Sequence, residues 1–298
     1  MTDSSGNKLL PYAALGICIL ALSTSAIFIK FADAPGPVTG FYRMFIAAIL
    51  LSPFALRRLL KNRQVNRRNI VIPLVGGVFS GLDLGIWSIA LGYTSAASAT
   101  LLGNTAPLWV ALGAMFIFRE KLKKKYWVGL LLAMAGATLI VGSDFLLHPG
   151  LGWGDIISIL TGLLYAGYYL TTEFGRRSID AVSYIWIVFL SASVTLFILN
   201  MLLGNPLIGY SKQTFMIFIA AAIISQLIGY LMSSYALGHL TASVVSVTMV
   251  GQPVMTALIA IPLLGEVPGN SQLLGGIIAM TGIYLVNISH ENKKDESS

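Results

Sequence analysis

Ten runs of apolar residues, each close to the length that crosses a lipid bilayer as a helix, follow one another along the chain. A helix of about 20 apolar residues spans the hydrocarbon core, and the short breaks carry turn chemistry, as in "DAPGPVTG" and "HPGLGWGD". Only 10% of the residues are charged, against about 25% in soluble domains. The pattern predicts an all-α integral membrane protein with ten transmembrane helices. The runs lie at about 9–32, 38–56, 70–91, 96–118, 126–143, 153–174, 181–203, 213–237, 242–264 and 271–289.

The lysines and arginines are distributed unevenly among the breaks. If the N-terminus is inside and the helices alternate, every Lys and Arg except Lys30, Arg43 and Lys212 falls in a cytoplasmic segment. Positive charge concentrates on the cytoplasmic side of membrane proteins, and the opposite orientation would reverse the ratio. Both termini are therefore predicted to be cytoplasmic, and the net charge of +7 reflects topology rather than binding of nucleic acid.

The second half of the chain repeats the first. Residues 90–140 align without a gap to residues 236–286, so that "ALGYTSAASA" faces "ALGHLTASVV". Each half holds five helices, an odd number, and the second copy would therefore enter the membrane upside down. The charges agree, because the loop "REKLKKK" is basic and its counterpart "GEVPGNS" has no Lys or Arg. We predict two inverted five-helix repeats, at 9–145 and 151–289, followed by a polar tail at 290–298.

The most specific stretches are "ALGYTSAASATLLGNTAPLWVALGAMFIFREKL" and "ALGHLTASVVSVTMVGQPVMTALIAIPLLGEVPGNSQLLGGIIAMTGIYLV". They resemble the EamA-type members of the drug/metabolite transporter superfamily, in which a helix with a central proline ends at a glutamate and a glycine-rich helix follows. The resemblance covers nearly the whole chain as two EamA-like units. The chain departs from the pattern at Arg119, where a glycine usually precedes the glutamate. The matching residues are Pro107, Glu120 and Gly136 in the first unit and Pro253, Glu266 and Gly282 in the second.

Members that resemble this chain export or exchange amino acids and other small metabolites, and relatives move nucleotide sugars, triose phosphates or lipophilic cations. The resemblance therefore implies a secondary transporter that works by alternating access between its two repeats. We expect export of amino acids, with aromatic or aliphatic side chains, across a bacterial inner membrane. The alternative is transport of another metabolite class, nucleotide-type, cofactor-like or a lipophilic cation, by an exchanger or importer.

Other classes of protein find less support in the sequence. An intramembrane enzyme would need a nucleophile elbow, a catalytic dyad or a His–Glu metal motif, and none is visible. The chain carries no Walker motif, which excludes direct coupling to ATP by this chain. We therefore predict no enzymatic activity, no cofactor and no metal site, with a small-molecule substrate and the lipid bilayer as partners. A structural or receptor-like protein without transport is the third alternative.

Two prolines lie inside corresponding apolar runs, Pro107 in the fourth and Pro253 in the ninth. Proline kinks a helix and frees the carbonyl four residues earlier, and freed groups at membrane depth must face protein or water. We therefore predict that both helices bend around a central cavity, lined in part by the neighbouring Asn104 and Gln252. The alternative interpretation is a kink that serves packing alone.

A charged pair is the most informative feature of the apolar runs. Asp83 lies about 12 Å inside the third run, and Arg43 lies at comparable depth in the second. Charges at such depth are expensive and are functional candidates by default. An Arg43–Asp83 ion pair is predicted, either as a static structural pair or as a site where Asp83 binds a substrate amine or a proton and Arg43 meets a carboxylate.

Polar and aromatic residues at helical spacing complete the candidate site. On the third run Ser80, Asp83 and Trp87 share a face, and Tyr165, Tyr168 and Tyr169 share a face of the sixth. Such a wall suits an apolar side chain or a cation over ring faces, although packing is the alternative interpretation. The candidate substrate-binding residues are Asp83, Trp87, Asn104, Trp109, Tyr165, Tyr168, Tyr169, Gln226, Tyr230 and Gln252.

The glutamates near the ends of the runs receive structural interpretations. Glu120 and Glu266 begin the turns into the fifth and tenth helices, where a carboxylate favours the positive end of the helix dipole. Glu173 precedes Arg176 by three residues near the predicted inner surface, and we expect these two side chains to form a local ion pair.

Overall fold

The computed structural model describes residues 9–61, 67–90, 92–93, 102–141, 152–264 and 270–295, and all of the regular structure in these ranges is helical. The elements are α1 (Leu10–Ser23), α2 (Ser25–Phe31), α3 (Gly36–Lys61), α4 (Arg67–Ala90), α5 (Ala106–Ile117), α6 (Lys124–Val141), α7 (Trp153–Gly175), α8 (Ala181–Leu202), α9 (Lys212–Ala221), a π-helical segment (Ala222–Tyr230), α10 (Leu231–Leu237), α11 (Ala242–Thr248), α12 (Gly251–Leu264) and α13 (Asn270–Asp295).

Each of the ten apolar runs contains helix in the described ranges, which agrees with the predicted all-α class. Five of these helices are long and apolar enough to cross a membrane by themselves. The predictions of exactly ten spans and of cytoplasmic termini go further than this result, and both stay predictions. The five are Gly36–Lys61, Asn69–Ala90, Ala181–Leu202, Lys212–Leu237 and Asn270–Ser289.

The two prolines lie at helix breaks rather than at kinks in continuous helices. The chain makes a turn just before α5 and another between α11 and α12. Pro107 and Pro253 therefore fall in the first turns of α5 and α12, where a backbone N–H has no partner within the helix and proline costs nothing. The expected kinks are thus corrected to interruptions at corresponding positions of the two repeats.

The π-helical segment Ala222–Tyr230 widens the long helical stretch that runs from α9 to α10. A π turn adds a residue to the hydrogen-bonded ring, and such segments are rare and often occur at functional sites. This one carries Gln226 and Tyr230, both of which are buried.

Helices α6 and α13 pack against each other through glycines. A Cβ placed on Gly129 would meet the Gly282 carbonyl oxygen at 2.7 Å, and one placed on Gly275 would meet the Gly136 carbonyl oxygen at 2.7 Å. The contacts run in opposite order along the two helices, so the helices are antiparallel. Under the alignment of the two halves Gly129 corresponds to Gly275 and Gly136 to Gly282, so each contact is the image of the other.

The other helix contacts also come in corresponding pairs. Helix α4 packs on α7, and α1 packs on the π-helical segment; α5 packs on α7, and α12 packs on α1. The main core lies among α1, α3, α7, α8 and the end of α10. Helices α5, α6, α11 and α13 enclose a second, smaller core. The candidate site lies within the main core.

Asp180 shows how one helix end is stabilised. Its Oδ1 accepts hydrogen bonds from the backbone N–H groups of Val182 and Ser183 at the start of α8, and from Arg58 Nη1 at 3.1 Å. Partial burial by itself would raise the pKa of the Asp180 carboxyl, but the hydrogen bonds from Ser183 and Arg58, with the Arg58 charge, outweigh it and lower the pKa.

Asparagine caps a helix as well as aspartate does, so Asp180→Asn removes only the charge, and we expect it to lower the free energy of unfolding by about 0.5 kcal/mol at neutral pH. Because the folded-state pKa is lowered, the carboxylate contributes fully above the ordinary pKa of about 3.9 and loses its contribution as the pH falls through the lower folded value. Thermal unfolding of the purified protein at several pH values tests this. The difference between wild type and variant should shrink below about pH 4, whereas a difference independent of pH would contradict the contribution of the Asp180 charge.

Candidate functional site

Arg43 is the central group of the site. It is only 2% exposed, on the inner side of α3. Its Nη2 donates to Gln226 Oε1 at 2.8 Å, and Gln226 Nε2 in turn contacts Met44 Sδ at 3.0 Å. Its Nε and Nη1 groups are buried without a hydrogen-bond partner among the described residues. A guanidinium cation thus lies in the core with much of its donor capacity unused.

The predicted ion pair between Arg43 and Asp83 is not formed in this arrangement. Within the described ranges the ion pairs are Arg58–Asp180 and Arg177–Glu173. The guanidinium donates to Gln226 instead, and the Tyr230 hydroxyl lies 3.4 Å from that of Ser80, one turn before Asp83. The predicted contact is therefore not formed, and the guanidinium binds an amide from the second repeat instead.

Asp83 faces the interior of the bundle. Its helix α4 packs on α8 through Gly77, Gly81 and Gly85, where an added Cβ would clash with α8 atoms. Asp83 lies on the opposite face, one turn after Ser80, whose hydroxyl is 3.4 Å from the Tyr230 hydroxyl. Asp83 is half-buried.

Four tyrosines and Phe189 form an aromatic wall beside this charge pair. The Tyr168 and Tyr230 ring centroids are 5.4 Å apart, and the Tyr165 hydroxyl is 3.0 Å from that of Tyr169. Tyr168 Oη is buried with no hydrogen-bond partner in the described part of the chain. Only Tyr165 among the three tyrosines of α7 is half-buried. Through Tyr168, the predicted face of α7 contacts Tyr230 of the π-helical segment.

The break before α5 brings further candidates to the same interior. A Cβ placed on Gly103 would lie 3.8 Å from Trp87 Cδ1. Trp109 Nε1 donates to Thr105 Oγ1 at 3.3 Å, and Asn104 Nδ2 is buried without a partner among the residues described. Trp87, Asn104 and Trp109 are all half-buried.

Gln252 is bound to the first helix rather than to the charged residues. Its Nε2 donates to the Leu22 carbonyl at 3.2 Å, and its own carbonyl accepts from Ser23 Oγ at 3.2 Å. The first bond satisfies the Leu22 carbonyl near the end of α1, and the second joins Ser23, the last residue of α1, to α12. Gln252 therefore has a visible structural task, and its predicted contact with substrate stays a prediction.

The start of α11 is held by two carboxylates. Ser243 Oγ donates to Glu120 Oε2, and the Ala242 N–H donates to Glu173 Oε2, both at 2.8 Å. Glu173 also pairs with Arg177 at 3.0 Å, so the expected partner Arg176 was wrong. Residues four apart on a helix are separated by about one full turn. The charges of Glu173 and Arg177 therefore align better than those of residues three apart. The corresponding Glu266 lies outside the described residues.

Arg176 and Arg119 serve the backbone near this end. Arg176 Nε donates to the Ser234 carbonyl at 2.9 Å, and its Nη1 donates to the Ile179 carbonyl. Arg119 has a φ of 54°, in the left-handed region that glycine tolerates best. This conformation explains why proteins that resemble this chain usually have a glycine at the position. Arg119 adopts the same turn at a cost in backbone strain.

A groove of about 520 Å³ opens elsewhere, between α12 and α13. Its walls are mainly apolar, and several of its side chains face outward, including Ile277 at 67% and Tyr284 at 65% exposure. An outward apolar surface is what a helix presents to lipid tails. The buried cluster around Arg43 and Asp83, with its convergent polar groups, is a better candidate for a solute site.

The sequence predicted Gln226 as a candidate substrate-binding residue but did not predict its direct contact with Arg43. It also left Ser80 out of the candidate substrate-binding residues, although Ser80 contacts Tyr230. The available signal was that Ser80 and Gln226 occupy corresponding positions of the two repeats. Polar residues at corresponding positions of two repeats should therefore be considered together.

Known proteins share the sequence pattern and the architecture of this chain. An uncharacterized transporter from Archaeoglobus fulgidus is 26% identical over 91% of this chain and 95% of its own length. The uncharacterized inner membrane transporter YhbE of Escherichia coli is 21% identical over 54% of this chain and 52% of its own. A solved crystal structure shares the fold with a TM-score of 0.78 at 16% identity, covering 93% of this chain and 96% of that one.

The helical bundle and these relatives define a multi-pass membrane transporter of the cell membrane rather than an enzyme. The pattern of the EamA-like transporter family matches residues 10–142 and again residues 152–288. The chain belongs to the EamA-like transporter family and contains two of its repeats.

Proposed function

We propose that this protein is a secondary transporter that exports amino acids by alternating access. The observation that supports this most is the buried cluster of Arg43, Asp83, Gln226 and Tyr230, which draws on helices from both EamA repeats. Opposite charges held apart beside an aromatic wall suit a zwitterion with an apolar side chain. Asp83 binds the ammonium group, Arg43 meets the carboxylate, and the tyrosines of α7 receive the side chain.

The contacts between the repeats support the alternating-access part of the proposal. The α6–α13 contact is antiparallel and maps onto itself when the halves are exchanged. The pairs α4–α7 and α1–π-helical segment map onto each other in the same way. Two structural repeats of opposite polarity give two arrangements of similar energy, one open to each side of the membrane. The solute cluster lies at the interface that changes between them.

Flux measured in sealed vesicles tests the function. Purified protein is reconstituted into proteoliposomes loaded with an unlabelled amino acid, and entry of the labelled amino acid is followed for phenylalanine and leucine. We expect exchange well above that of protein-free vesicles. Exchange of a nucleotide or a lipophilic cation instead would contradict the substrate class, and absence of flux for every solute would contradict transport itself. Chemical conversion of the solute would indicate an enzyme.

A further inference from the structure

A buried cation without a counter-charge needs an explanation. Arg43 is 2% exposed, and no carboxylate of the described residues lies within ion-pair distance of it. Gln226 satisfies one of its three nitrogens, whereas Nε and Nη1 have no partner in the same ranges. Burial of an unpaired charge is costly, and orphaned donors of this kind mark places where a further group binds. The chemistry that fits a guanidinium is an oxyanion.

Gln226 is placed to hold the guanidinium ready rather than to neutralise it. Its amide oxygen accepts from Arg43 and its amide nitrogen contacts Met44, so both ends of the amide are fixed by α3. Gln226 itself belongs to the π-helical segment of the second repeat, 183 residues along the chain. The receptor for an anion is thereby assembled from both repeats, and its geometry depends on how they are arranged.

We propose that Arg43 is an anion receptor for the transported solute and that Gln226 is its positioning residue. The solute must then carry a carboxylate, and an amine that lacks one is rejected. This inference rests on the proposed function and sharpens it, because it assigns the carboxylate as a requirement rather than as one of two equal contacts. Asp83 contributes to binding of the ammonium group but does not neutralise Arg43, since no ion pair joins the two side chains in the described ranges.

The variant Gln226→Glu tests the receptor without any solute. It places a carboxylate of the same shape against Arg43 Nη2, at the 2.8 Å contact that Gln226 now makes. If Arg43 is otherwise unneutralised, the unfolding temperature of the purified protein rises by about 3 °C or more. Gln213→Glu, an exposed position in α9, is the matched control and should leave it unchanged. An unchanged or lower unfolding temperature for Gln226→Glu would overturn the proposal.

Three related solutes test the carboxylate requirement, and thermal shift reports their binding. Phenylalanine has both charges, phenethylamine lacks the carboxylate, and 3-phenylpropanoate lacks the amine. Wild-type protein should bind phenylalanine at least about tenfold more tightly than phenethylamine. Gln226→Glu should lose phenylalanine binding, because its carboxylate neutralises the Arg43 charge that attracts the solute carboxylate, and Arg43→Gln should lose the discrimination. Equal binding of phenethylamine and phenylalanine would overturn the receptor while leaving amino-acid transport standing.

Discussion

Asp83→Asn should abolish most transport while leaving the protein folded. We expect solute exchange in proteoliposomes to fall about 30-fold or more, because loss of one partner from a buried charged contact costs about 2 kcal/mol or more. Asparagine has the shape of aspartate but has neither a negative charge to attract an ammonium group nor a titratable proton. Since the Asp83 carboxylate has no cation within 4.0 Å among the described residues, its replacement breaks no ion pair, and the unfolding temperature should not fall.

The control is Asp33→Asn, which removes a carboxylate from an exposed position between α2 and α3. It should transport like wild type and unfold at the same temperature. If Asp83→Asn also transports like wild type, then Asp83 is neither a solute-binding residue nor a proton carrier, and the site proposed here fails. If it unfolds far more easily, Asp83 serves structure.

Gly275→Ala should damage folding severely, whereas Gly276→Ala, its neighbour in α13, should not. A Cβ on Gly275 would lie 2.7 Å from the Gly136 carbonyl oxygen and 2.9 Å from the Ile140 backbone nitrogen. Both are backbone atoms of α6, so the two helices would have to separate. Overpacking of this kind costs about 3 kcal/mol. We expect a large fall in unfolding temperature or loss of the folded protein in detergent.

The neighbouring position supplies a matched control. A Cβ on Gly276 would meet only Val254 Cγ1, at an ordinary 3.7 Å. Alanine is a better helix former than glycine by about 1 kcal/mol, so Gly276→Ala should be neutral or mildly stabilising. Comparable effects of the two substitutions would show that α6 and α13 do not pack through the glycine face described here.

Much of the architecture could be predicted from sequence because lipid imposes simple rules. Apolar runs must be helices, and helix occurs in each of the ten predicted runs. The duplication predicted two related units, and the family pattern matches twice. The cost of burying charge singled out Arg43 and Asp83, and the structure places both in the interior near Tyr230.

What failed was the choice of partners. Spacing along one helix tells which residues share a face, but contacts such as Arg43–Gln226 join residues 183 positions apart. The similar depth of the two residues suggested that Arg43 and Asp83 meet. Depth alone does not show where α8 and the π-helical segment pack. The prolines were assigned to kinks, since their positions show that the helix is disturbed but not that a turn precedes them. The pairing of Glu173 with Arg177 rather than Arg176 is an error of one residue in register.

Opposite orientation of the two repeats is the claim on which the proposed transport cycle depends, and cysteine accessibility measures it directly. Lys123 and Asn270 are exposed residues at the starts of corresponding helices, and Cys18 is the chain's single cysteine. Lys123→Cys and Asn270→Cys are introduced separately with Cys18→Ser, and intact cells are treated with a membrane-impermeant maleimide. Opposite polarity predicts labelling of the position-270 variant from outside and of the position-123 variant only after the membrane is opened. Labelling of both from the same side would contradict the inverted arrangement.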